Sequence, residues 1–168
     1  LQKKFAKEIT LKQLNLIHAD VLDVGLTHLT SNKYKVVANI PYYITGQIIR
    51  MFLETDSQPL SMTVLIQKEV AERIIARDGK ESLLSLSVKV FGLPKIERIV
   101  GRGAFTPQPN VDSAVLNIEN ISKERLEGVS EEKFFKVIHA GFAHKRKQLL
   151  PNLSSIYKKN DIIKAFDT

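Results

Sequence analysis

The order of apolar and polar positions predicts alternating strands and helices in the first half of the chain. Tyr34 to Ile40, YKVVANI, is an almost uninterrupted β-branched run, typical of a strand in a sheet buried on both faces. Apolar residues then recur at helical spacing from Ile44 to Glu54. A strand at Ser61 to Gln67 and a helix at Lys68 to Arg77 follow. This alternation predicts an α/β fold with a parallel sheet between helices.

Two patterns precede this region. Leu1 to Ile9 resembles the end of an amphipathic helix, and the short apolar run from Leu14 to Asp20 predicts a strand that ends at a polar cluster. The chain opens on leucine and in the middle of a helical pattern. We therefore expect it to be a central piece of a longer protein.

The second half changes character. Ser82 to Phe91 fits a helix or a strand, and we favour the helix. Lys95 to Gly101 and Ser113 to Glu119 predict two strands, whose connecting loop suits an antiparallel pair at the sheet edge. Ser130 is a good N-cap and begins a helical region. We therefore predict two domains, with residues 1–120 forming the sheet domain and residues 121–168 starting a small helical one.

Composition and charge limit the classes of protein and partner that fit this chain. With 168 residues, 43% apolar and 26% charged, the chain is expected to fold around a packed core, and it has neither a membrane-length apolar stretch nor a signal peptide. It has no cysteine, which excludes disulfides and thiolate metal sites and suits the cytoplasm. A net charge of +7 favours a polyanionic partner such as nucleic acid, with an ordinary basic protein as the equal alternative.

The tetrapeptide NIPY, Asn39 to Tyr42, lies where a predicted strand ends, the position at which open α/β sheets bind ligands. The Asn39 side-chain oxygen and the Ile40 carbonyl are two acceptors that match the two N–H bonds of an exocyclic amine. Pro41 restricts the backbone around them, and Tyr42 offers a flat face to a base. Taken alone, these four residues fit an ordinary turn better than a site.

Two further segments suit nucleic acid. Phe105 precedes a frame made by Pro107 and Pro109, and a rigid loop can present an aromatic ring for stacking, although the ring can also plug the core. His144 to Lys147, HKRK, is a compact cationic cluster for phosphates, or simply a solvated helix face.

Asp20 follows LIHA and can accept a hydrogen bond from an adenine-like amino group, or it can cap a helix. The histidines do not fall at ligand spacing with neighbouring acids, so no metal site is expected.

Five segments strengthen one another by occurring together: VVANIPYYIT, MTVLIQKEVAERIIA, LSLSVKV, GAFTPQPNVDSAV and FAHKRKQLLPNL. In this order they resemble the bacterial 16S ribosomal RNA adenine N6-dimethyltransferase family. The resemblance implies a Rossmann-like sheet with a small α-helical C-terminal domain. It also implies an S-adenosylmethionine-dependent enzyme that dimethylates two adjacent adenosines in small-subunit RNA, acting as a monomer on a small-subunit precursor.

The resemblance also implies residue roles. The amine-gripping catalytic motif is Asn39, Ile40, Pro41 and Tyr42. Asp20 and Asn39 lie against the cofactor. Tyr42 and Phe105 hold the target base, and RNA meets Lys145, Arg146 and Lys147.

One departure from the family pattern stands out. The family's Gly-rich cofactor loop and its ribose-binding acidic residue are not found in this chain, where Gly25 stands alone near the start. We therefore expect the N-terminal strands of the sheet to be missing. The alternative function is a non-catalytic RNA-binding or ribosome-assembly factor on the same scaffold.

Overall fold

A computed structural model describes residues 1–24, 33–144 and 148–167. The chain divides into two compact units, Leu1–Thr30 and Ser31–Thr168. Within the described ranges, no helix combines the length and the apolar character that crossing a membrane requires.

The first unit contains two short helices, α1 (Ala6–Thr10) and α2 (Val21–Val24). The predicted helix at the start of the chain is therefore present, although displaced. The strand predicted at Leu14 to Asp20 is wrong, because this segment has no strand conformation. A strand needs a hydrogen-bonded neighbour, and the strands that pair in the described chain all lie beyond residue 34.

The second unit follows the predicted alternation closely. Its strands are β1 (Lys35–Asn39), β2 (Ser61–Gln67), β3 (Leu93–Val100) and β4 (Ser113–Glu119). Its helices are α3 (Thr45–Leu53), α4 (Lys68–Ile75), α5 (Leu83–Lys89), α6 (Glu131–Phe142), α7 (Leu149–Leu153) and α8 (Lys159–Phe166). The helix favoured for Ser82 to Phe91 is confirmed as α5, which Ser82 caps through its side chain.

The four strands form one sheet in the order β1-β2-β4-β3. β1 and β2 are parallel, whereas β4 runs antiparallel to both β2 and β3. The parallel pair and the antiparallel pair at the edge are therefore confirmed. Because β4 runs opposite to β2, Ser113 at its start lies beside Gln67 at the end of β2. The carboxyl ends of β1 and β2 and the start of β4 thus lie together at one end of the sheet.

Burial alternates along the strands, so helices cover one face of the sheet. Met62, Val64 and Ile66 of β2 are fully buried, while the residues between them are partly exposed. On β1, Val36 is buried but Val37 is 83% exposed. The expectation that β1 is buried on both faces is therefore wrong for the described residues. The continuous apolar run predicted burial on both faces because Val37 is apolar, although its side chain faces outward.

Aromatic and ionic contacts hold helix α6 against the segments that follow α3 and α5. The rings of Phe135 in α6 and Phe91 after α5 have centroids 6.1 Å apart. The Lys123 ammonium lies 2.9 Å from the Asp56 carboxylate and 3.2 Å from that of Glu131, at the start of α6. The hydrogen bond to Asp56 raises the pKa of Lys123 above its usual value. The helical segment therefore starts from a defined position.

Gly92 provides a test of this packing. A Cβ added there would lie 2.7 Å from Ile118 Cγ2 and 3.0 Å from the Glu119 carbonyl oxygen. We expect Gly92→Ala to lower the free energy of unfolding by about 1–3 kcal/mol, because β4 cannot move without disturbing both neighbouring strands. Urea denaturation measures this change.

The matched control is Gly46→Ala in α3, where an added Cβ meets nothing within 4 Å. This variant should instead gain about 0.5–1 kcal/mol, since alanine favours the helix. Equal stability of the Gly92→Ala variant and the unmodified protein would contradict the close approach of Gly92 to β4.

Candidate functional site

The sheet topology brings two of the predicted motifs together. NIPY begins at the last residue of β1, and the loop of residues 101–112 joins β3 to β4. In the sheet, Asn39 pairs with Leu65 near the end of β2, while Ser113 pairs with Gln67 and Val100. The two motifs therefore lie at the same end of the sheet, although residues 43–100 separate them in sequence.

The backbone of NIPY is held by local contacts. Asn39 is the last residue of β1 and is exposed, whereas the Ile40 side chain is buried, with 7% exposure. Pro41, with φ of −59° and ψ of 136°, precedes a single 3₁₀ turn at Tyr42–Ile44. The Thr45 hydroxyl donates to the Tyr42 carbonyl over 3.0 Å. Ile40 thus anchors the turn while its neighbours face outward.

The loop that carries Phe105 is closed by one aspartate. The backbone N–H of Arg102 donates to the Asp112 side chain over 3.0 Å. The backbone N–H of Lys68, at the start of α4, donates to the Asp112 carbonyl over 3.0 Å. Asp112 therefore fastens both ends of the loop to each other and to the end of β2, which limits the positions open to Phe105.

A pocket of about 340 Å³ lies between the turn and the loop. Its lining combines exposed polar groups with flat apolar ones, from Asn39, Ile40, Pro41, Tyr42, Phe105, Pro107 and Pro109. Aromatic and proline walls with a few polar groups at one end suit a planar heterocycle. The catalytic motif and the base-holding ring predicted from the sequence are thus brought together.

Asp112 and Ser113 were not predicted as site residues. The Tyr42 hydroxyl and the Ser113 Oγ lie 2.8 Å apart and share a hydrogen bond in which either can donate. Ser113 is fully buried. The sequence signal was the polar pair Asp-Ser at the start of an otherwise mostly apolar strand, and polar residues are common at such boundaries for local reasons.

Asp20 belongs to the first unit and caps a helix. One of its carboxylate oxygens accepts from the Leu22 N–H over 2.9 Å at the start of α2. The side chain is exposed. The capping alternative is thereby observed, and the predicted cofactor role of Asp20 stays a prediction.

The predicted RNA-contacting residues Lys145, Arg146 and Lys147 lie outside the described residues. The structure does describe the residues on either side of them. The Asn152 side-chain amide donates to the Gly141 carbonyl over 2.8 Å and to the His144 carbonyl over 3.2 Å. Asn152 is buried, so it joins the end of α6 to α7 from inside. Across residues 1–24, 33–144 and 148–167, no group of three or more metal-ligating side chains is close enough to hold an ion.

The Rossmann-like sheet, with the pocket at the carboxyl ends of β1 and β2, has the same fold as two solved structures. The 23S rRNA methyltransferase ErmE superposes with a TM-score of 0.77 at 23% identity, over 99% of this chain and 66% of that protein. A dimethyladenosine transferase from Plasmodium falciparum gives a TM-score of 0.72 at 23% identity, over 90% and 55%. The predicted fold class is confirmed.

The family model for ribosomal RNA adenine dimethylase matches residues 1–168, and the chain belongs to that family. Similar proteins named ribosomal RNA small subunit methyltransferase A include one from Dehalococcoides mccartyi, 45% identical over 83% of this chain and 48% of its own length. One from Fusobacterium nucleatum is 39% identical over 98% and 62%. The chain therefore spans about half to three fifths of the length of these relatives.

Proposed function

We propose that the complete protein carrying this chain transfers methyl groups from S-adenosylmethionine to N6 of two adjacent adenosines in small-subunit (16S) ribosomal RNA. The observation that carries the proposal is the pocket that joins NIPY to Phe105. Family membership and the names of the relatives support the choice of adenine in small-subunit RNA. A monomer in the cytoplasm, acting on a small-subunit precursor, stays a prediction.

The pocket residues address a specific chemical difficulty. The amino group of adenine is a poor nucleophile because its lone pair is delocalised into the ring. The Asn39 side-chain oxygen and the Ile40 carbonyl would accept hydrogen bonds from its two N–H groups. These bonds would favour tetrahedral geometry at N6. The same acceptors stabilise the positive charge that develops on N6, and the proton then leaves to solvent.

The aromatic walls would hold the base for this chemistry. Tyr42 and Phe105 line the same pocket, and an aromatic ring can stack on any base. The target adenosine must leave its own stack to enter, as in other enzymes that act on bases. Because no side chain has to act as a nucleophile, positioning carries most of the rate enhancement.

One residue of the pocket, Asn39, fits a contact with S-adenosylmethionine. When bound, it supplies an electrophilic methyl group on a sulfonium sulfur. Asn39 is exposed beside the pocket and would contact the donor. A contact of Asp20 with the donor stays a prediction from the sequence.

The helices after residue 120 would begin the small RNA-binding domain. Lys145, Arg146 and Lys147 supply three successive positive charges there. Phosphate contacts of this kind release counterions, so the affinity for RNA should fall as salt rises. The hydrogen bonds of Asn152 hold together the helices on either side of this basic segment.

The test is incubation of the complete protein with labelled S-adenosylmethionine and small subunits that lack the modification, with large subunits in parallel. The proposal predicts label in the small-subunit RNA alone. Binding of small subunits without any transfer would contradict it and favour the non-catalytic assembly factor. Label in large-subunit RNA would overturn the choice of substrate.

A further inference from the structure

We propose that Ser113 is a positioning residue for methyl transfer, because it fixes the ring of Tyr42 through the hydrogen bond between their hydroxyl groups. The proposal rests on the proposed function above and assigns a role to a residue outside NIPY and outside the Phe105 loop. Ser113 does not line the pocket itself, so it acts through Tyr42.

Ser113 occupies a rigid position in the sheet. Ser113 begins β4, which lies between β2 and β3 and pairs with both. At its own register, Ser113 faces Gln67 on one side and Val100 on the other. A side chain on a strand that is paired on both sides is held more firmly than one on a loop. Its Oγ therefore has a fixed position at this end of the sheet.

The hydrogen bond between Ser113 and Tyr42 is shielded from water. Ser113 is fully buried and Tyr42 is half-buried, so water competes poorly for the bond of 2.8 Å between them. A hydrogen bond in such surroundings is strong, and removing one partner leaves the other hydroxyl without its bond. The tyrosine ring is thus held at both ends, by its backbone turn and by its hydroxyl.

The same hydrogen bond joins two segments that are distant in sequence. It spans 71 positions in sequence and links the NIPY turn to the end of the loop that carries Phe105. The adjacent residue, Asp112, closes that same loop. The pair Asp112 and Ser113 therefore sets both aromatic walls of the pocket from one place, Phe105 through the loop and Tyr42 through its hydroxyl.

The test is a double-mutant cycle in the complete protein, with Tyr42→Phe, Ser113→Ala and the double variant, measured by methylation of small subunits. Each single variant should lower kcat about three- to tenfold, the worth of one net hydrogen bond. KM for the subunits should change less than twofold, because RNA contacts outside the pocket remain. The double variant should be no slower than the slower single variant, since both changes remove the same bond.

Two matched controls remove similar hydrogen bonds elsewhere. Tyr34→Phe removes a hydroxyl that donates to the Ser57 carbonyl, and Ser87→Ala removes a buried hydroxyl that donates to the Leu83 carbonyl. Both should keep kcat within twofold. If Ser113→Ala does not fold, Tyr42→Phe alone decides, because it keeps the ring and removes only the bond.

An unchanged kcat in Tyr42→Phe, or losses that multiply in the double variant, would overturn the positioning role. These results are distinguishable from failure of the proposed function. An unmodified protein that transfers no methyl group contradicts the function itself. An active protein with an unaffected Tyr42→Phe variant contradicts only the role of Ser113.

Discussion

Replacing Asn39 by alanine is expected to lower the rate of methyl transfer by about 100-fold or more while leaving RNA binding intact. The side-chain oxygen of Asn39 would be one of two acceptors for the adenine amine, and loss of one preorganised polar group at a reacting centre costs about 100- to 1,000-fold. Single-turnover methylation and filter binding of small subunits measure the two effects separately.

Asn117→Ala is the matched control for this change. Asn117 lies within β4, where its side-chain oxygen accepts from the Thr63 hydroxyl, away from the pocket. The control should lose at most some stability and keep its rate per folded molecule. If Asn39→Ala and Asn117→Ala transfer methyl groups equally fast, the amine-gripping role of NIPY is wrong.

Replacing Phe105 by alanine is the second large expected effect. Stacking of a base on an aromatic ring contributes about 1–3 kcal/mol, so kcat/KM should fall by about 10- to 100-fold. The loss should appear with short RNA and with whole subunits, because under the proposed function the ring would contact the target base itself.

Phe105→Leu and Phe105→Tyr separate stacking from simple filling of space. Leucine keeps an apolar side chain but has no ring, so it should behave like alanine, whereas tyrosine keeps a flat face and should retain most of the activity. If leucine restores activity, Phe105 acts as an apolar plug, the alternative that its partial burial leaves open.

The fold of residues 34–119 could largely be predicted because its signals are local and strong. Alternating strand and helix patterns, a capping serine at position 82 and strand-end positions for NIPY are all visible in sequence. The pattern at Leu14 to Asp20 misled, because a short apolar run becomes a strand only when a partner strand is available. In the structure, Asp20 instead caps α2.

The site could be predicted only in part. NIPY and Phe105 became site candidates only because five segments occur together in an order that resembles the dimethyltransferase family, since NIPY alone fits an ordinary turn and Phe105 alone a core plug. The hydrogen bond between Tyr42 and Ser113 could not be predicted, because it depends on the antiparallel placement of β4 beside β2. Long-range contacts of this kind follow from topology, and no local pattern indicates them. Likewise, Asp112 gains its role only once Arg102 and Lys68 are brought beside it.

The measurement that tests the central claim most directly is nucleoside mass spectrometry of small-subunit RNA after reaction with the complete protein and S-adenosylmethionine. The account predicts N6,N6-dimethyladenosine at two adjacent positions, formed by the unmodified protein and lost in the Asn39→Ala variant. A methyl group on any other atom, or no methylated adenosine at all, would contradict it.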